Sequence, residues 1–176
     1  RRVLLGENKV CGLTREQDAQ AAYEAGAIYG GLIFVESSPR AVNEEKAHKV
    51  IAAAPLSYVG VFRNADINDV AAKADALSLS AVQLHGDEDQ AYIDALRHVL
   101  APQVQIWKAQ SVGATLPARN LKHVDKYVLD NGQGGTGQRF DWSLLRGEVL
   151  DNVLLAGGLS PDNCVEAAKT GCAGLD

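Results

Sequence analysis

Three side chains that can exchange protons stand at the ends of short apolar runs. Cys11 ends the run KVC, His85 follows AVQL, and Asp130 ends KYVLD. A thiol, an imidazole and a carboxyl group are common general acids and bases in enzymes. Each also has a purely structural interpretation, as a small core residue, a hydrogen-bonded histidine and a turn former respectively. The residue types therefore indicate acid–base chemistry only if these three positions come together in the fold.

Lys9 places a positive charge near Cys11. Side chains alternate between the two faces of a strand, so Lys9 and Cys11 share one face. If that face lines the interior of a barrel, the ammonium group lowers the pKa of the thiol, unless the lysine side chain extends away from it. The spacing thus allows Lys9 to lower the pKa of the Cys11 thiol at the end of the first strand.

A glycine-rich segment, LDNGQGGTGQRFDW, contains Gly132, Gly134 and Gly137 in the G-x-G-x-x-G spacing of a dinucleotide-binding turn. That turn requires a helix that opens at the third glycine and an acidic residue about 20 positions later. Here three further residues precede the predicted helix N-cap, Asp141, and the next strand ends in alanine and glycine. We therefore predict no dinucleotide cofactor, and the segment is either a surface loop or a mobile flap over a site. The flap residues are then Gly132, Gly134, Gly135 and Gly137.

Two other segments suit an anionic ligand. In LLAGGLSPDN, Gly157 and Gly158 leave bare amides at a strand end, before Ser160 and Pro161 as the predicted N-cap and first residue of a helix. Such a corner binds phosphate, although an ordinary tight turn has the same composition. Arg40, in ESSPRAVN, has the side chain to bind a carboxylate or phosphate with two parallel hydrogen bonds, but most loop arginines are only solvated.

The composition limits the class of protein. With 176 residues, 47% of them hydrophobic, the chain can bury one sizeable core. A net charge of -5 and the lack of a basic run argue against nucleic acid as a partner. The longest nearly unbroken apolar stretch, residues 25–35, is far shorter than the roughly 18 residues of a membrane span. Three cysteines without metal or redox spacing favour a reduced, cytoplasmic setting and no metal site.

The residues named above belong to a repeated pattern of strand and helix. Eight apolar runs begin near residues 9, 30, 57, 80, 104, 125, 152 and 172, and segments such as 15–26 and 66–78 between them have helical apolar spacing. This alternation predicts an α/β protein with a parallel sheet. A (β/α)8 TIM barrel and a doubly wound open sheet both fit, and periodicity does not choose between them.

The two ends of the sequence suggest part of a longer polypeptide. The start, RRVLLGEN, has the composition of a helix end or linker, and the chain stops on GLD within the eighth predicted strand. The expectation is that residues 1–6 are a linker remnant and residues 7–176 a C-terminally truncated barrel without its last helix. Apolar surface on strands 1, 7 and 8 would then lack cover.

Taken in order, six motifs resemble the phosphoribosylanthranilate isomerase family. They are NKVCGLT, SSPR, VGVFRN, AVQLHG, YVLDNGQGGTGQRFDW and LLAGGLSPDN, and the resemblance runs from about Glu7 to Asp176. It implies a (β/α)8 TIM barrel of tryptophan biosynthesis that uses no cofactor. The start of the chain also resembles the junction of bacterial bifunctional enzymes in which an indole-3-glycerol-phosphate synthase domain precedes this one.

The resemblance implies a role for each candidate residue. The family converts N-(5-phosphoribosyl)anthranilate by an Amadori rearrangement, with Asp130 in the position of the general acid and Cys11 in that of the general base. Arg40 matches the arginine that holds the anthranilate end, and His85 matches a position that contacts substrate. Gly157 and Gly158 match half of a phosphate site, and the other half of that site follows the eighth strand.

Two other classes of function remain open from the sequence. A non-catalytic barrel fragment that serves as a folding or interaction module fits the truncated end. A cysteine hydrolase is the third possibility, but no residue pattern supplies an evident oxyanion hole and base for it. Cys11 and Asp130, both at strand ends, favour the isomerase.

Overall fold

Eight parallel strands follow one another around a single sheet in the computed structural model, which describes residues 6–132 and 138–176. The strands are β1 Lys9–Cys11, β2 Tyr29–Ile33, β3 Ser57–Phe62, β4 Ala81–Leu84, β5 Gln105–Ser111, β6 Lys126–Asp130, β7 Val153–Leu155 and β8 Gly174–Leu175. A doubly wound sheet reverses its strand order at a switch point, and this sheet does not. At the seam between the first and last strands, the Glu7 amide donates to the Ala173 carbonyl (2.8 Å). The predicted TIM barrel is therefore confirmed.

Helices cover most of the connections between these strands. They are α1 Glu16–Glu24, α2 Glu44–Ala53, α3 Ile67–Ala76, α4 Gln90–Val99, a 3-10 helix Trp142–Leu145 and α5 Cys164–Ala168. The predicted N-cap Asp141 is confirmed, because its carboxylate accepts the Ser143 amide at 2.9 Å.

Residues 112–125, between β5 and β6, form no helix, since Gly113 and Pro117 interrupt that segment. One helix prediction is wrong. The helix predicted to begin at Pro161 begins at Cys164 instead. Asn163 accepts the Ser160 amide through its side chain, and this bond closes a turn ahead of the helix.

The alternation of the strands divides the core into two layers. Val59, Trp107, Val128 and Leu154 face inward and fill the barrel interior, with Trp107 fully buried. The outward faces of β2 to β5 pack on α1 to α4 and form the larger apolar cluster. Because these bulky side chains fill the middle of the barrel, open space is left near the carboxyl ends of the strands.

A buried ion pair joins β5 to the loop that follows β4, and its hydrogen bonds reach the loop that follows β3. The Lys108 Nζ lies 3.1 Å from the Glu88 carboxylate, with side chains 7% and 1% exposed. Glu88 also accepts the amides of Asn64 and Gly86, each at 2.8 Å, and Lys108 donates to the Gly86 carbonyl at 2.7 Å. Every charge in this network therefore has hydrogen-bond partners, as a buried pair requires.

Replacing Glu88 by alanine should lower the free energy of unfolding by about 3 kcal/mol, because it leaves the Lys108 charge buried without its partner. Urea unfolding followed by tryptophan fluorescence measures the loss. The matched control is Glu45→Ala, which removes an exposed i,i+4 pair with Lys49 and should hardly move the unfolding midpoint. Equal midpoints for the two variants would contradict this account of the Glu88 pair.

Candidate active site

A cavity of about 550 Å³ opens at the carboxyl ends of the strands. It is lined by every residue that the sequence singled out for catalysis or ligand binding, namely Cys11, Arg40, His85, Asp130, Gly157 and Gly158. Chemistry in TIM barrels takes place at this end. The structure therefore brings these positions together in one cavity, and their individual roles stay predictions.

Strand register explains why these side chains meet. Lys9 and Cys11 face inward on β1, as Val128 and Asp130 do on β6, with the second residue of each pair nearer the cavity. His85 follows β4 on the inward side set by Gln83. Parallel strands bring all their carboxyl ends to one rim, so residues more than 100 positions apart share one cavity.

Cys11 lies against β2 with no space to spare. It pairs in register with Gly31, and a Cβ atom at residue 31 would lie 2.9 Å from the Cys11 Sγ. A glycine is therefore required at this position for the thiol to fit. Gly31 was not among the candidate residues, although a glycine pair in the strand run GGLIFV can indicate a close approach of neighbouring chain.

Lys9 lowers the pKa of the Cys11 thiol as expected, but it does not decide the net shift. Burial raises the pKa of the thiol, the Lys9 charge lowers it, and the Asp176 charge raises it, so the pKa lies above its ordinary value. Lys9 thus acts in the predicted direction but is outweighed by desolvation. The thiol form is the favoured one at neutral pH.

Lys9 is held by a partner that the sequence analysis did not identify. Its Nζ lies 2.7 Å from the Asp176 carboxylate, and the side chains are 0% and 7% exposed. Burial by itself lowers the pKa of Lys9, but the charges of Asp176 and Cys11 and their hydrogen bonds raise it above the ordinary lysine value. Lys9 therefore remains an ammonium ion beneath Cys11.

The Asp130 carboxylate is mostly enclosed, with its side chain 14% exposed. Its Oδ1 accepts the Gly132 amide at 2.7 Å. Its Oδ2 lies 3.7 Å from the Nε2 of His85, whose Nδ1 lies 3.5 Å from the Gln83 amide nitrogen. An Nδ1 that accepts from Gln83 leaves the imidazole proton on Nε2, facing Asp130. Gln83 is buried and positions His85, a role that the sequence analysis missed.

Arg40 reaches across from the loop after β2 to the end of β1. Its Nη1 donates to the Cys11 carbonyl at 2.9 Å. This bond fixes one amino group of the guanidinium and leaves the other at the cavity wall. Arg40 is thus placed to bind a carboxylate with part of its donor set.

The corner after β7 has the backbone shape that only glycine adopts readily. Gly157 and Gly158 have φ values of +81° and +67°. A Cβ atom at residue 158 would lie 2.6 Å from the backbone of Gln138 and Arg139. Asn131 also donates to the Gln138 carbonyl. The chain on both sides of the predicted flap therefore contacts the site, and of the flap residues only Gly132 is described. The others, Gly134, Gly135 and Gly137, lie outside the described residues.

Within residues 6–132 and 138–176, no group of three or more His, Cys, Asp or Glu side chains is arranged to hold a metal ion. No helix there combines the length and apolar character needed to cross a membrane.

Comparisons with known proteins agree on one family. Residues 8–176 match the N-(5'phosphoribosyl)anthranilate (PRA) isomerase family. Among curated relatives, the tryptophan biosynthesis proteins TrpCF of Salmonella typhi and Yersinia pestis are 74% and 69% identical over the whole chain. The chain spans only 39% and 37% of their lengths.

Solved structures of similar fold include members of this family. Phosphoribosyl anthranilate isomerase from Thermus thermophilus has a TM-score of 0.82 and 28% identity, over 97% of this chain and 86% of that one. A phosphoribosyl anthranilate isomerase in complex with reduced 1-(o-carboxyphenylamino)-1-deoxyribulose 5-phosphate has a TM-score of 0.76 and 28% identity, over 98% and 86%.

Proposed function

The chain belongs to the N-(5'-phosphoribosyl)anthranilate isomerase family, and we propose that it catalyses the Amadori rearrangement of N-(5-phosphoribosyl)anthranilate to 1-(o-carboxyphenylamino)-1-deoxyribulose 5-phosphate. The observation that carries the proposal is the meeting of Cys11 and Asp130 in one cavity, next to groups suited to both anionic ends of this substrate. The reaction is an isomerisation, so it needs one acid and one base but no external oxidant or reductant.

The acid in the first step is Asp130. It gives a proton to the furanose ring oxygen as the bond from that oxygen to C1′ breaks, and the nitrogen lone pair forms the C1′=N double bond of a Schiff base. Because Oδ1 already accepts the Gly132 amide, Oδ2 is the oxygen suited to carry the proton. The Nε2–H of His85 then faces the same oxygen and can stabilise the carboxylate that remains.

The base in the second step is Cys11. Its thiolate takes the proton from C2′, and the electrons of that bond move to give an enolamine, which tautomerises to the ketone. The Lys9 ammonium lies beneath the thiol and favours the thiolate against the effect of burial. Gly31 keeps the space around the sulfur open.

The two ends of the substrate have matching partners. Arg40 pairs with the anthranilate carboxylate, and the amides at Gly157 and Gly158 hold one side of the phosphate. No cofactor takes part in this scheme.

The test is the anthranilate fluorescence on mixing the protein with freshly made phosphoribosylanthranilate, which should change as the substrate isomerises. The 176-residue chain is compared with a longer protein that carries it, because the curated relatives extend beyond the matched region. Turnover in either protein supports the proposal. An unchanged signal in both would reject it and favour a non-catalytic barrel.

We further propose that residues 7–176 form the isomerase barrel of a bifunctional protein, with residues 1–6 as the link to an indole-3-glycerol-phosphate synthase domain. Support comes from relatives more than twice as long as this chain, which it matches over its full length. A cytoplasmic location is consistent with the three free cysteines.

Replacing Gly157 by aspartate should raise KM by about 10-fold or more, because it adds a negative charge at the corner proposed to hold the substrate phosphate. The control is Gly157→Asn, which has the same shape without the charge and a side chain that tolerates the positive φ of +81°. Steady-state kinetics of both variants separate charge from shape. The same KM for the two would show that no phosphate lies at this corner.

A further inference from the structure

Arg63 follows the inward-facing residues of β3. Side chains alternate along the strand, so Val59, Val61 and Arg63 share one face, and Val61 and Arg63 both line the cavity. From the sequence, the motif VGVFRN was used only for the family resemblance, and Arg63 had no predicted role. Arg63 is therefore a second arginine that lines the cavity, in addition to Arg40.

The guanidinium of Arg63 has no hydrogen-bond or ion-pair partner among residues 6–132 and 138–176. The other cations of the site are at least partly engaged, since Lys9 pairs with Asp176 and Arg40 donates to the Cys11 carbonyl. Several arginines elsewhere are held by partners, as Arg119 is by the Glu148 carboxylate and Arg97 is by the Val104 carbonyl. A free guanidinium at a cavity wall is suited to an anion brought by the ligand.

The position of Arg63 in the barrel indicates which end of the ligand this side chain can contact. β3 lies four strands from β7 in the eight-strand order, which places Arg63 across the barrel mouth from Gly157 and Gly158. A substrate with its phosphate at that glycine corner extends its aromatic end toward β2 and β3. Arg40 and Arg63 are the arginines on that side of the cavity.

We propose that Arg63 binds the carboxylate on the aromatic ring of the substrate, together with Arg40, and so determines specificity for a carboxylated amine. This inference rests on the proposed isomerase function. Arg40 has one amino group fixed on the Cys11 carbonyl, so the carboxylate has an oxygen left for a second donor. Arg63 takes no part in proton transfer, and its contribution is to binding.

The test compares two ligands on Arg63→Gln and the unchanged protein by calorimetry. One ligand is reduced 1-(o-carboxyphenylamino)-1-deoxyribulose 5-phosphate, and the other is the same compound without the carboxyl group. For the carboxylated ligand, the variant should have a Kd about 10-fold higher. For the other ligand, the two proteins should agree within about 2-fold. In turnover, KM should rise and kcat stay nearly constant.

Two further variants sharpen the result. Arg63→Lys keeps the charge and should restore part of the affinity, since a lysine offers no paired donors. Arg146→Gln removes an exposed arginine outside the cavity lining and should leave both ligands unaffected. Equal affinity of the Arg63→Gln protein and the unchanged protein for the carboxylated ligand would overturn the proposal. An equal loss for both ligands would also overturn it, by assigning Arg63 to the phosphate. If the unchanged protein bound neither ligand, the proposed function itself would fail.

Discussion

Replacing Asp130 by asparagine should lower kcat by about 10²- to 10⁴-fold, the usual contribution of a general acid. The amide oxygen of asparagine can still accept the Gly132 amide, so the loop geometry is retained. What the variant loses is the proton that opens the furanose ring. Steady-state turnover of phosphoribosylanthranilate measures the fall, and the Kd of the reduced product should change little.

A matched control separates this loss from a general effect of removing a carboxylate. Asp151 is exposed and lies outside the cavity lining, in the turn before β7. Asp151→Asn should therefore turn over at the normal rate. If Asp130→Asn kept near-normal kcat, the acid would have to be another group, and His85 is the first candidate because it faces the same cavity.

Cys11→Ser should lower kcat by roughly 10²- to 10⁴-fold, because a hydroxyl group loses its proton far less readily than a thiol. The serine is smaller, so it fits beside Gly31 without strain. Cys164→Ser is the control, since Cys164 belongs to α5 and its thiol donates to the Pro161 carbonyl, which a hydroxyl can also do. Similar kcat values for the two variants would remove Cys11 from the mechanism.

The pH profile of the unchanged protein supplies an independent check on Cys11. Its pKa is raised, chiefly by burial, so the free protein holds mostly thiol at neutral pH. The thiolate fraction, and with it the rate at which iodoacetamide alkylates Cys11, should increase as pH rises from neutral toward the raised pKa. Lys9 does not oppose this rise, because its pKa is also raised and it keeps its charge. An alkylation rate of Cys11 that is flat across this range would contradict the raised pKa of the thiol.

The local features of the fold followed from the order of residues alone. Eight apolar runs marked the eight strands, and Asp141 marked the start of its helix. Alternation correctly placed Lys9 and Cys11 on one face. These features depend on neighbours within a few positions, so the sequence carries them directly.

Other features depended on contacts between distant parts of the chain. Barrel closure requires a contact between residues 7 and 173, which no local pattern contains. The net Cys11 pKa shift could not be predicted from the nearby Lys9, because burial, a property of the whole barrel, outweighs the lysine. Only the structure showed that the guanidinium of Arg63 is free while Lys9 and Arg40 have partners. The sequence by itself therefore determined the elements and the candidate groups, whereas their electrostatics and partners were decided by the tertiary structure, because desolvation and charge pairing act through space.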